Sequence, residues 1–107
     1  YNVPINEAVD YVETHAKFTT LYMDCTGMSE FYFFYYPVDP STITSEEHYQ
    51  NGSHGYEFGV DYYATPVESS NAYIVRKENW EFINKLNDSG LSFQTVEYPH
   101  YYLFYFE

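Results

Sequence analysis

Carboxylates dominate the chemistry open to this chain. Sixteen Asp and Glu stand against four Lys and Arg, a formal net charge of −12. Lys17, Arg76, Lys77 and Lys85 can each neutralise one partner, so most of the acids must face water, because an unpaired buried carboxylate is very costly. Other reactive groups are sparse. The one cysteine, Cys25, sits in Asp24-Cys25-Thr26-Gly27, and His15, His48, His54 and His100 are scattered. A nucleophilic thiolate needs positive charge nearby, and this neighbourhood is acidic. There is no glycine-rich phosphate loop, nucleophile elbow or zinc-binding cysteine pair. Glu46, Glu47, His48 and His54 are metal-ligating residue types, and a turn at Asn51-Gly52 would fold His54 back toward His48. Their spacing matches no ligand motif. The expectation is a protein that is not an enzyme, with no catalytic residue, metal or cofactor.

Aromatic side chains are the second resource. Fifteen Tyr, nine Phe and one Trp make up 23% of the chain, so its core must be built largely of rings. A tyrosine hydroxyl must be wetted or paired, which places many of these residues at the core edge or on the surface. Tyrosine is also a favoured interface residue.

Acids in rows beside exposed tyrosines point to binding of a basic surface. Glu7, Asp10 and Glu13 recur every three residues on one helix, forming a slowly winding row. Glu57 and Asp61 fall on the same face of an alternating run, and Glu46-Glu47 sits on the polar stretch before it. Tyr49, Tyr56, Tyr62 and Tyr63 are candidate desolvated anchors, with charge supplying speed and selectivity. Direct nucleic-acid binding is opposed by electrostatics, since the chain would add repulsion where cations must displace counterions. The partner expected is a basic nucleic-acid-binding protein. In size and composition the chain resembles small acidic inhibitors: the nucleic-acid-mimicking anti-restriction and anti-CRISPR proteins of phages, and immunity proteins that block nuclease toxins. That resemblance implies occlusion of a nucleic-acid-binding surface and assigns no residues. Two alternatives remain, a structural or assembly protein that self-associates through aromatic surface, and a small-ligand binder with a Tyr- and Phe-lined pocket.

The elements that must carry these groups can be read from periodicity. Ile5, Ala8, Val9, Val12 and Ala16 form one apolar stripe, predicting a helix over 5–16. Strand composition follows at 18–24 and 30–36, with a turn at 25–28 between them. Asn51-Gly52 is the strongest hairpin signal, and alternation predicts a strand over 56–62. Residues 72–75 read as a short strand or a helix start. A second helix is predicted over 78–87, with Trp80, Phe82, Ile83 and Leu86 on its buried side and Asp88-Ser89-Gly90 as its stop. Two final strands, 91–97 and 100–106, join through Tyr98-Pro99. The fold class expected is α+β: a single domain over 1–107 with an antiparallel sheet of about five or six strands and two helices packed on one face. No apolar run approaches the roughly 20 residues of a membrane span, and no leader pattern opens the chain, so a cytoplasmic location is expected.

Overall fold

The computed structural model describes residues 3–24, 48–51 and 54–106. Helix α1 spans Val3–His15 and is followed by β1 (Thr20–Met23). Strands β2 (His48–Asn51), β3 (His54–Phe58) and β4 (Asn71–Arg76) come next. Helix α2 (Trp80–Asp88) then leads to β5 (Gln94–Glu97) and β6 (Tyr101–Tyr105). The strands form one six-stranded sheet in the order β2-β3-β1-β4-β6-β5.

The sheet is mixed, which corrects the antiparallel expectation. Strand β1 runs parallel to β3, with Leu21 opposite Tyr56, and parallel to β4, with Leu21 opposite Ala72. The outer pairs β2–β3, β4–β6 and β5–β6 are antiparallel. Strands β3 and β4 flank β1 and run the same way, and 59–70 supplies the connection of about a dozen residues that carries the chain from one to the other. The segment 59–70 contains turns and no helix, so it carries no helical cue to strands running in parallel. The hairpin expected around Asn51-Gly52 is present, with Asn51 opposite His54. The expected strand 30–36 and the turn at 25–28 lie outside the described residues.

The helices cover opposite faces of the sheet, not one face as expected. Alternation along β4 sends Ala72 and Ile74 into a cluster with Ile5, Val9 and Val12 of α1. Tyr73 and Val75 enter a second cluster with Phe82 and Leu86 of α2. Residues 71–75 are therefore buried on both sides, as expected for the central strand of a covered parallel segment. Each fully buried aliphatic side chain here stabilises the fold by roughly 1.5–3 kcal/mol. Strand β6 is buried in the same two-sided way, with Tyr101, Leu103 and Tyr105 facing α1 and Phe104 facing α2. Among the described residues no helix is long and apolar enough to cross a membrane.

Two boundaries are set by local chemistry. Strand β3 stops at Phe58, short of the expected 56–62, because Gly59 takes a positive φ of 104° and turns the chain out of the ladder. Helix α2 starts at Trp80, with Asn79 as its N-cap accepting a hydrogen bond from the Phe82 amide. Its stop, with Gly90 at φ 82°, falls where the sequence places it.

Candidate functional site

The expected site residues whose side chains are described separate onto two sides of the sheet. On the α1 side, burial of Ile5, Ala8, Val9 and Val12 against the strands leaves Glu7 and Asp10 pointing to solvent. Glu13 differs from them, because its carboxylate accepts a hydrogen bond from the hydroxyl of Tyr56, a core residue of β3. The row is thus two open acids and one acid engaged with the core. Nearby, the Tyr11 and Tyr105 hydroxyls meet at 3.2 Å, tying α1 to β6. Burial pushes the Tyr98 phenol above its ordinary value, and the negative charge of Glu7 adds to the effect.

On the α2 side the turn after β3 is built by its own side chains. Asp61 Oδ1 accepts the amides of Tyr63 at 2.8 Å and Ala64 at 2.9 Å, while Thr65 Oγ1 accepts the Asp61 amide at 2.9 Å. Glu57 and Asp61 are therefore not successive positions of one strand face. They meet instead along a cavity of about 540 Å³ at the carboxyl ends of β1 and β3, together with Tyr22, Asp24, Gly59 and Thr65. Burial, then the charge of Glu57, raises the Tyr22 phenol above its ordinary value. Asp24 serves the scaffold there: its carboxylate accepts the Arg76 amide at 3.1 Å and the Asn79 side-chain amide at 3.1 Å, joining the ends of β1 and β4 to the start of α2.

Lys85 of α2 holds the 61–65 turn from the other side. Its ammonium donates to the Tyr62 and Thr65 carbonyls, the latter at 3.0 Å, and lies 5.3 Å from the centre of the Tyr62 ring. The result is a fixed aromatic display. Tyr62, Tyr63 and Trp80 are the large apolar side chains left exposed among the described residues, at 44%, 91% and 63%. With Glu81 and Asn84 they line one shallow depression of about 310 Å³. Glu81, Lys85 and Asp88 continue into a neighbouring depression on the same helix.

The charge balance is open on both sides. Glu7, Asp10, Asp61, Glu68, Glu78, Glu81 and Asp88 make no ion pair among the described residues and are exposed. The cations are largely committed elsewhere. Lys77 pairs with Glu97 at 2.6 Å, Lys85 is bound to carbonyls, and Arg76 Nε donates to the Asp24 carbonyl at 2.9 Å. Lys17 is exposed.

Tyr63 is exposed, and Asp61 shapes the turn that carries it. Tyr49 pairs with Tyr56 through the β2–β3 ladder. Glu46 and Glu47 lie outside the described residues. His54, weighed as a metal ligand, donates from Nδ1 to the Phe18 carbonyl at 2.7 Å and packs on the Phe18 ring. Among the described residues no three metal-capable side chains come together. Sequence reading missed Trp80, which it assigned to the buried stripe. The signal was Asn79: as N-cap it makes Trp80 the first helical residue, ahead of the turn whose Phe82 and Leu86 face the sheet.

The chain matches no known protein family, no curated protein and no solved structure.

Proposed function

We propose that this protein acts by binding, not catalysis: it is an acidic inhibitor that docks on the nucleic-acid-binding surface of a basic protein and occludes it. The observation that carries this reading is the set of exposed acids that make no ion pair among the described residues, above all Glu7 and Asp10 on α1 and Glu78, Glu81 and Asp88 around α2. Such a surface repels itself and repels nucleic acid, and its energy falls when a cationic groove approaches. Steering of this kind speeds association and selects the partner, while affinity comes from desolvated anchors, for which Tyr63 and Trp80 are placed. The cytoplasm, where basic nucleic-acid enzymes work, is the proposed site of action.

Charge reversal tests the reading. Glu7→Lys with Asp10→Lys, and separately Glu81→Lys with Asp88→Lys, leave every core contact in place. At least one pair should weaken capture of a cationic nucleic-acid-binding protein by tenfold or more at low salt. Unchanged capture with both pairs reversed together would refute the proposal.

A further inference from the structure

We infer that the depression between Tyr63 and Trp80 seats an arginine side chain of the cationic partner, its guanidinium laid on an aromatic face and held at Glu81. This rests on the proposed binding of a basic surface and names the group that is read there. Four features carry it. The large exposed apolar side chains of the described residues all gather at this place, so it is the natural anchor point. The turn bearing Tyr62 and Tyr63 is held by Asp61, Thr65 and Lys85, so little freedom is lost when a partner arrives. One ring of the depression already accepts a cation within the fold: Lys85 lies over Tyr62 at 5.3 Å. The exposed Tyr63 and Trp80 rings offer the same interaction outward, beside a Glu81 that makes no ion pair among the described residues.

The geometry favours arginine over lysine. A guanidinium is planar and weakly hydrated, stacks on a ring, and keeps in-plane donors for a carboxylate and for the side-chain carbonyl of Asn84, which lines the same depression. An ammonium is a strongly hydrated point charge without a plane to stack.

Trp80 is the single tryptophan of the chain, so its emission reports on this site alone. The experiment titrates the intact protein with two labelled peptides of equal length and charge, an Arg-Gly repeat and a Lys-Gly repeat, reading peptide anisotropy and Trp80 emission. The arginine peptide should bind about tenfold more tightly and should shift the emission. Trp80→Ala and Glu81→Gln, both exposed changes, should each remove most of that preference, whereas Glu7→Gln should lower affinity for both peptides alike. Equal binding of the two peptides with no emission change overturns the arginine seat and leaves the acidic-surface reading standing. No binding of either peptide at low salt removes both. Self-association that Trp80→Ala abolishes would make a second copy of this chain the occupant and also overturns the inference.

Discussion

Removing one oxygen atom, by Tyr73→Phe, should cost about 2 kcal/mol of stability. The Tyr73 side chain is fully buried, and its hydroxyl donates to the Pro66 carbonyl at 2.6 Å. The same oxygen accepts the Glu68 amide at 3.0 Å and the Asn71 side-chain amide at 3.2 Å. Phenylalanine keeps the ring and its packing on Phe82 and Phe93, so the change isolates those three bonds. Pro66 and Glu68 are exposed residues whose backbone groups water can reach, but Asn71 is only 5% exposed and would keep a stranded amide. One buried orphan at roughly 1–3 kcal/mol plus small losses at the wetted partners gives the total. For a domain of this size that is a fall of about 10 °C in Tm. Thermal and urea unfolding followed by circular dichroism measure it, with Tyr22→Phe as the control. The Tyr22 hydroxyl makes no hydrogen bond among the described residues, so the control should stay within about 0.5 kcal/mol of the parent. If Tyr73→Phe is equally silent, segment 66–71 is not held to the sheet in the way described.

Three further outcomes are expected. Burial raises the Tyr73 phenol above its ordinary value of 10.0, although its bonds to Asn71 and Glu68 oppose the shift. Above about pH 10 the folded state therefore binds more protons than the unfolded one, and stability, complete below that pH, is lost as the medium becomes more alkaline; Tyr73→Phe should flatten this slope in urea titrations at successive pH values. Adding monovalent salt should raise Tm, because screening over about 8 Å relieves repulsion within a chain of net charge −12, and a Tm that falls with salt would contradict the uneven charge balance. Within the α1 row, Glu13→Lys should destabilise by roughly 1–3 kcal/mol because it removes the acceptor of the buried Tyr56, whereas Glu7→Lys and Asp10→Lys should be nearly neutral in the same unfolding assay.

Much of the fold is legible in the sequence because burial leaves a period. The stripe Ile5, Ala8, Val9 and Val12 marks α1, and runs of strand-like composition mark β1 and β6 within two residues and β5 within three. Strand direction is not legible over the described crossover, because 59–70, which carries the chain from β3 to β4 on the other side of β1, contains no helix to announce strands running in parallel. The placement of the helices was partly written in Ala72 to Val75: four consecutive apolar residues in a strand require cover on both faces, which two helices on one side could not provide. At the candidate surface, the acids are legible as types, but not which of them serve the scaffold. Glu13 bonds to Tyr56, Asp24 ties β1 to α2, and Asp61 builds a turn, all through partners 43, 52 and 55, or as few as two, residues away. Trp80 was hidden by helical spacing, which counts a tryptophan as core wherever it falls near the stripe. The helix starts at Trp80, two residues later than expected, and the ring there is 63% exposed.

The central claim is that the unneutralised acids and their aromatic anchors compete with nucleic acid for a basic protein. It is tested most directly by capturing basic nucleic-acid-binding proteins on the immobilised chain at low salt, then measuring each captured protein's affinity for duplex DNA or RNA with and without this chain in solution. The account predicts capture that salt reverses, and nucleic-acid binding that falls in proportion to the amount of chain added. Captured proteins that hold nucleic acid equally well in its presence, or capture indifferent to salt, would contradict it.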